Sequence, residues 1–509
     1  MTTVSLLLDG FLVALQPLNL VLVLSGVSLG TVVGMLPGIG PINAIAILLP
    51  VVFAAGLPAA PALILLVGIY YGSQYGNSIS TILLNVPGTA SAVVTAIDGY
   101  EMTKQGRAGP ALAISAIASF VGGTLSIFGL VLFAPLLATW AIRFGPAEYF
   151  ALMLFAFAAL AGVAGRSRPK ALIAVGVGLF LASVGIDPNS AVPRFTFGQL
   201  ELLDGMDFVV VTIGLFAVSE VFLELEKSEV GQAVTTTLDS VRVTAREVVA
   251  TAWTMIRASV VGFLVGVLPG AGGTIASFLA YSTEQRLVDK DDTFGTGDIR
   301  GVAAPEAANN AAATGAMIPL LTLGVPGSAT TAVLLGALLA LGVTPGPLLI
   351  QNSPEVFWGL AASMYVGNAF LLLLNLPLVR VFVRILEVPR WFLFPAVTAL
   401  SFVAVYAVNQ STFDLFLMTI FGVLGYGLRK TDIPLAPIIL GLVLGPLMER
   451  NVRRALLLSD GAWSVLFSSP IAITFWVLTL VSVATPAFLW LWRRRREPGD
   501  CVTATDGGV

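Results

Sequence analysis

Four segments join proline and glycine to small hydroxyl or amide residues inside otherwise apolar sequence. They are LPGIGPIN at Leu36–Asn43, NVPGTAS at Asn85–Ser91, LPGAGGT at Leu268–Thr274 and GVPGSATT at Gly324–Thr331. Proline removes a backbone donor and clashes with the preceding turn, while glycine permits positive φ, so each segment predicts a broken helix. A helix that starts after such a break turns free N–H groups and the positive end of its dipole toward whatever lies there. That chemistry holds an anion, such as a carboxylate, without any lysine or arginine. The candidate binding backbone is Pro37, Gly38, Gly40, Pro87, Gly88, Pro269, Gly270, Gly272, Pro326 and Gly327. Asn43, Thr89, Thr274 and Ser328 add side-chain hydrogen bonds, with Ser91, Thr330 and Thr331 close by. Carbonyls on the other side of each break could coordinate a small cation. A single Pro-Gly pair reads equally well as a kink or a close helix contact. Four pairs in matching order favour a cavity.

Two stretches extend this set, YYGSQYGNSIST at Tyr70–Thr81 and APEAANNAAATGAMIP at Ala304–Pro319. Asn77, Ser78, Asn309, Asn310 and Thr314 are polar groups in small-residue helices; they line the cavity, help bind a coupling ion, or simply bond between helices. The last use is worth roughly 0.6 kcal/mol per contact in a bilayer. Glu306 stands apart, because a carboxylate in an Ala-rich segment is costly if it faces lipid. It reads either as a binding or coupling group or as a residue at the membrane edge, with Asp298 and Arg300 near. Asp98, Glu101 and Asp187 read as loop residues, and Glu220 as a helix-end residue satisfied by snorkelling or by a cation.

The elements that must position these groups follow from composition. Of 509 residues 57% are hydrophobic and 11% charged, where a soluble protein carries about 25% charged. Mean hydropathy is +0.94. So few polar side chains cannot cover a soluble surface, which makes the lipid bilayer the solvent. The pattern predicts an all-α polytopic membrane protein. Apolar runs recur at 111–134, 149–163, 171–184, 208–222, 356–374, 392–408, 413–428 and 471–492. With ambiguous segments included, the length criterion gives on the order of 10 to 14 membrane segments.

Other classes fall away. There is no histidine, and the one cysteine, Cys501, lies in the polar tail, so a metal site or disulfide has no basis. A net charge of −3 without a basic stripe speaks against nucleic acid. Paired catalytic carboxylates and a nucleophile with an adjacent base are both missing, which argues against an enzyme. No GxxxxGK[ST] loop occurs, so ATP is not expected to supply the energy. The start lacks a basic n-region and a small-residue cleavage site, and Met1 onward reads as mature chain.

The chain also repeats itself. GMLPGIGPINA at Gly34–Ala44 parallels GVLPGAGGTIA at Gly266–Ala276, and VPGTA at Val86–Ala90 parallels VPGSA at Val325–Ala329. The offsets are 232 and 239, so the second half gains seven residues, assigned to the polar stretch Thr283–Arg300. The division reads as a first repeat at 1–226, a charged linker at 227–250, a second repeat at 251–492 and a tail at 493–509. Lys104, Arg107, Arg166, Arg168 and Lys170 mark two loops of the first half, whereas the matching loops 344–355 and 409–414 carry no basic residue. Arg380, Arg384, Arg390, Arg429 and Lys430 sit in the intervening loops instead. Because lysine and arginine favour the cytoplasmic side, the halves read as inverted. Arg493–Arg496 argue for a cytoplasmic C-terminus, which a strict inversion contradicts unless Pro434–Met448 adds a crossing.

These motifs closely resemble the tripartite tricarboxylate transporter TctA family, the large membrane subunit of such systems. The resemblance is carried by GMLPGIGP, YGSQYGNSIS, NVPGTAS, GIDP with RFTFG, GLFAVSE, GVLPGAGGTIASFLAY, VAAPEAANNAA, GVPGSATTAVLLGAL and APIILGLVLGPLMERNVRRAL, between about Gly26 and Leu458. It implies a multi-pass protein of the bacterial inner membrane that works with a small four-helix membrane subunit and a periplasmic solute-binding protein. It further implies uptake of carboxylates, citrate among them, driven by an ion gradient, with sodium or proton as coupling cation and no other cofactor. The leading expectation is the translocating subunit of such a transporter. The alternative is a channel-like or structural membrane component without coupled transport.

Overall fold

Hydrocarbon offers no hydrogen bonds, so a chain that crosses it closes its backbone bonds inside helices. The computed structural model, which describes residues 3–36, 40–163, 167–187, 189–226, 241–385 and 390–496, is built accordingly. The first half holds α1 (Thr3–Ala14), α2 (Pro17–Met35), α3 (Gly40–Ala54), α4 (Ala59–Leu84), α5 (Val93–Lys104), α6 (Ala108–Ala141), α7 (Pro146–Val163) and α8 (Arg168–Ala182). A small hairpin pairs β1 (Gly185–Ile186) with β2 (Pro193–Arg194), and α9 (Phe208–Thr212) runs through a π turn at Ile213–Val218 into α10 (Ser219–Glu226). The second half holds α11 (Ala245–Val267), α12 (Gly272–Val288), α13 (Ile299–Gly315), α14 (Met317–Leu323), α15 (Ala329–Ala340), α16 (Leu349–Asn352) and α17 (Pro354–Asn375). It closes with α18 (Val379–Ile385), α19 (Arg390–Asn409), α20 (Thr412–Lys430), α21 (Ala436–Leu458) and α22 (Pro470–Arg496).

Among the described residues, six helices are long and apolar enough to cross a bilayer: α2, α6, the run Phe208–Glu226, α11, α17 and α20. Several shorter apolar helices stand beside them, among them α3, α8 and α15. The exposed faces are what lipid requires. On α11, Val249, Trp253, Val260 and Leu264 all lie more than half exposed on one side of the helix.

Close packing comes from glycine. A Cβ on Gly26, Gly30 or Gly34 of α2 would strike the backbone of α4 at Leu65, Ile69 or Ser73. The second half repeats the seam: Gly262 and Gly266 of α11 lie against the carbonyls of Ala308 and Ala312 on α13. Small residues let helix backbones touch where lipid tails supply no hydrophobic drive. The long helices then cross between halves, α6 packing on α13 and α17 on α4.

Local geometry repeats at matched positions. Gly40 and Gly272, each first in its helix, share φ +60°. Leu36 and Leu268 end α2 and α11 in extended backbone, while Asn85 and Gly324 close α4 and α14 in the left-handed region at φ 56° and 69°. Each second-motif glycine also seats on the matching carbonyl, Gly88 on Gly34 and Gly327 on Gly266.

Some expectations need correction. Asp98 and Glu101 are not in a loop; both ride on α5, and Asp98 is fully buried. Its carboxylate accepts the N–H groups of Gly295, Gly297 and Asp298 at 2.8–2.9 Å and the Tyr281 hydroxyl at 2.8 Å. Glu306 faces neither lipid nor water, with 0% exposure in the middle of α13. Helix α11 begins at Ala245, set by a capping box in which Thr244 and Glu247 satisfy each other's backbone. Residues 227–240 of the expected linker lie outside the described residues. Glu220 pairs with Arg429, the cation one reading called for. Asp187 does sit in the β1–β2 turn.

Arg453 on α21 clamps that turn, donating to Asp187 at 2.8 Å and to Glu449 at 2.6 Å. The Arg453 guanidinium, aided by the N–H groups of Asn189 and Ser190, holds the Asp187 carboxyl far below the usual carboxylate range. A depressed folded value stabilises the fold above about pH 4, and this contribution fades as pH falls below that. Arg453→Gln should therefore lower the thermal midpoint in detergent at pH 7, and the deficit should shrink toward pH 3. A second comparison isolates the glycine contacts. A Cβ on Gly122 of α6 would collide with the Ala307 carbonyl, whereas one on Gly176 of α8 meets nothing within 4 Å. Gly122→Ala should cost about 1–3 kcal/mol by overpacking and Gly176→Ala close to nothing, as thermal unfolding of the purified variants would report.

A junction of broken helices as the candidate site

Each of the four Pro-Gly segments ends one helix and begins another, as the residue types demand. The first new helix is α3 at Gly40, though Pro37 and Gly38 lie outside the described residues. The second is a 3-10 turn, Ala90–Ala92, that continues as α5; the third is α12 at Gly272; the fourth is α15 at Ala329. The breaks meet. The Gly270 N–H donates to the Gly327 carbonyl at 3.0 Å, joining the third to the fourth. A methyl on Gly273 would press on Ser91 and Asn309, joining the third to the second. Helix α3 packs on α15 while α12 packs on the 3-10 turn, so the contacts run crosswise between halves.

The side chains at this junction form a connected set. Asn77, fully buried on α4, donates to Thr89 at 2.8 Å, and Thr89 exchanges a hydrogen bond with Ser91 at 2.9 Å. Asn309, close to Gly273 at the third break, and its neighbour Asn310 are both at most 2% exposed on α13. Three of their polar atoms have no protein partner: Asn77 Oδ1, Asn309 Nδ2 and Asn310 Oδ1. Gln74 Oε1, one turn before Ser78 on α4, is likewise unpaired. A buried polar atom left unpaired costs roughly 1–3 kcal/mol, so these atoms are open to a water or a ligand.

Other expected residues are already engaged. The Ser328 side chain accepts from the Thr331 N–H and belongs to a capping box with Thr331, and Tyr70 also reaches it. The Thr314 hydroxyl pairs with Tyr71. Asn43 is buried on α3 with a polar partner of its own. Pro87 and Gly88 hold the turn before Thr89; Pro269 and Gly270 hold the one before α12; Pro326 and Gly327 are buried before Ser328. Thr274 is exposed in the first turn of α12.

Ser78 and Glu306 form a second cluster beside the first. The Glu306 carboxylate accepts from Thr95 at 2.6 Å and Ser119 at 3.3 Å, with Ser115 and Ser78 also in its shell. The sequence reading passed over Thr95, Ser115, Ser119 and the tyrosines. A hydroxyl in an apolar helix is commonplace, and 211 residues separate Thr95 from Glu306. The spacing of Ser115, Ser119 and Gly122 along one face of α6 was the available signal. A groove of about 380 Å³ lies elsewhere, between α6 and α11, lined by Phe133, Leu136, Trp140, Leu264 and Leu268. Its walls suit an acyl chain, not a carboxylate.

Known sequences agree with this architecture. A protein of Agrobacterium vitis, described as an uncharacterized 52.8 kDa protein in the TAR-I ttuC' 3' region, is 43% identical over 483 residues, spanning 95% of this chain and 96% of that one. A second, an uncharacterized protein in the TAR-II ttuC' 3' region of the same organism, is 46% identical over 222 residues, 44% of this chain and 92% of its own. No solved structure matches. The family described as the tripartite tricarboxylate transporter TctA family matches residues 20–440. With its broken helices, lipid-facing surfaces and that match, this multi-pass membrane protein belongs to the tripartite tricarboxylate transporter TctA family.

Proposed function

We propose that this chain is the translocating subunit of an ion-gradient-driven carboxylate uptake system in the bacterial inner membrane, and that it performs no catalysis. The observation that carries the reading is the trio of unpartnered buried atoms where the broken helices meet. Asn309 Nδ2 is a donor and suits a carboxylate oxygen; the Asn77 and Asn310 carbonyl oxygens suit a small cation, sodium or proton-bearing. The helix starts at Gly40, Thr89, Gly272 and Ser328 add backbone donors to the anion side. The substrate is a citrate-like tricarboxylate or a related carboxylate. A periplasmic solute-binding protein delivers it, and a small four-helix subunit completes the membrane assembly.

The halves, 1–226 and 251–492, are proposed to be inverted, with 227–250 as linker and 493–509 as tail. Several contacts support this. Lys170 donates to the Thr431 carbonyl, beside Arg429 and Lys430, so a basic loop of each half lies together; Arg107 pairs with Glu247 of the linker. Helix α21, Ala436–Leu458, covers most of the 434–448 region and is proposed as the extra crossing that a cytoplasmic Arg493–Arg496 requires. With some short helices counted, the membrane segments number about 10 to 14. One half moving against the other would alternate access to the junction.

Labelled citrate and a carboxylate panel, offered to cells carrying all three components, should accumulate only with an ion gradient. Downhill flux through this chain alone, indifferent to gradients, would make it a channel. Two variants sharpen the test. Asn309→Leu removes an unsatisfied donor, so the fold should hold or gain about 1 kcal/mol, while uptake should fall roughly tenfold or more. In Gly272→Ala the new Cβ meets only Ser328, at 3.9 Å, but the residue must sit at φ +60°. Insertion should be normal and uptake roughly tenfold lower, the strain being about 1–2 kcal/mol.

A further inference from the structure

The buried carboxylate of Glu306 calls for a use. It lies at 0% exposure on α13, and no lysine or arginine among the described residues pairs with it. An ionised carboxylate buried without a cation carries a desolvation cost of several kcal/mol. Its shell is instead made of hydroxyls from three other elements: Thr95 on α5, Ser78 on α4, and Ser115 and Ser119 on α6. Ser115 also donates to Ser78 at 2.9 Å.

Asp98, one turn beyond Thr95 on α5, is held very differently. Its partners are three backbone N–H groups and a tyrosine hydroxyl, and backbone N–H groups can only donate. Serine and threonine hydroxyls both donate and accept. A shell of them serves the carboxylate by donating and the carboxylic acid by accepting its proton. The spacing also disfavours a metal ion between these oxygens. Even Mg²⁺, about 2.1 Å from its ligands, keeps neighbouring octahedral oxygens about 3.0 Å apart. Thr95 Oγ1 and Glu306 Oε1 are 2.6 Å apart, a direct hydrogen bond.

No other ionisable group competes. From α4 the nearest is Tyr75, whose hydroxyl donates to Asn368. From α5 it is Asp98, already saturated. Helix α6 and α14 contain none. On α11 and α12, Arg257 and Glu284 pair with each other at 2.7 Å, and Tyr281 is bound to Asp98.

The shell is tied to the transport junction residue by residue. Ser78 follows Asn77 on α4. Thr95 lies one turn beyond Ser91. Asn309 and Asn310 lie one turn beyond Glu306, and Asn310 Nδ2 donates to the Glu306 carbonyl at 3.1 Å. An element that shifts to admit substrate therefore shifts a partner of the carboxyl as well. We propose, resting on the transport reading above, that Glu306 is the proton-coupling group of this transporter. Its carboxylate takes one proton from the outer water as substrate enters and returns it to the inner water as substrate leaves, with no other reactant needed.

The test uses the three-component system in proteoliposomes with labelled citrate, or whichever panel carboxylate the cells accumulate. Wild type should accumulate the label under an inward pH gradient alone, and an enclosed pH dye should record protons entering with it. Glu306→Gln mimics the protonated acid. It should keep exchange of internal for external label within about threefold of wild type and lose pH-driven accumulation at least tenfold. If wild type accumulates only on a sodium gradient, or if Glu306→Gln still accumulates on a pH gradient, the proposal is overturned while the transport reading stands. If no component set accumulates any carboxylate, the transport reading itself fails. Should Glu306→Gln lose exchange too, Thr95→Val decides. It keeps the carboxyl but removes a donor that favours its charged form, so the pH profile of uptake should move by half a unit or more to higher pH. An unmoved profile would overturn the proposal.

Discussion

Hydrocarbon cannot hydrogen-bond, and this one constraint orders the whole molecule. Every polar group placed at membrane depth needs a partner within the protein; many hydroxyls find it on the preceding turn of their own helix, and a second set bonds across to the opposite half. Tyr71 pairs with Thr314, Tyr75 with Asn368 at 2.5 Å, and Thr95 and Ser119 with Glu306. Asn368 returns a bond to the Phe120 carbonyl at 2.9 Å. Each half is thus the polar solvent of the other. These particular groups would lose their partners if the halves separated.

That exchange is possible only because the backbones come close. The glycine seams of α2 with α4 and of α11 with α13 bring carbonyls to positions a methyl would occupy. The same seams end at the breaks, where Gly88 rests on the Gly34 carbonyl and Gly327 on that of Gly266. Close packing and helix interruption are therefore one device used twice. Of the eight buried side-chain atoms without a partner among the described residues, three belong to Asn77, Asn309 and Asn310 in the motifs beside the breaks.

Much of this was legible beforehand. Pro-Gly pairs forbid a continuous helix wherever they occur, so the four breaks and the helix starts behind them could be read locally. Mean hydropathy and charge content chose the solvent, and the motif pairs announced the duplication. What escaped was the pairing across long separations. An acidic side chain in a polar stretch, such as Asp98, is usually solvated in a loop; here three backbone N–H groups from residues 295–298 replace water. The Ser328 hydroxyl completes a cap with Thr331 by accepting its N–H, a use that four residues of sequence already permit. Thr274 belongs to the right motif and sits exposed in the first turn of α12.

By itself the sequence determined the membrane environment, the helical class, the broken helices and the family, because composition, proline, glycine and motif spacing act through local sterics and transfer free energy. Only the tertiary structure decided which polar atoms are spent on each other and which are left over. That allocation depends on contacts between residues some two hundred positions apart, set by how closely glycine-lined helices can approach. Glu306 shows the difference most plainly: its type and neighbours left it between edge and core, and the packing of α4, α5 and α6 around it placed it in the core, among hydroxyls.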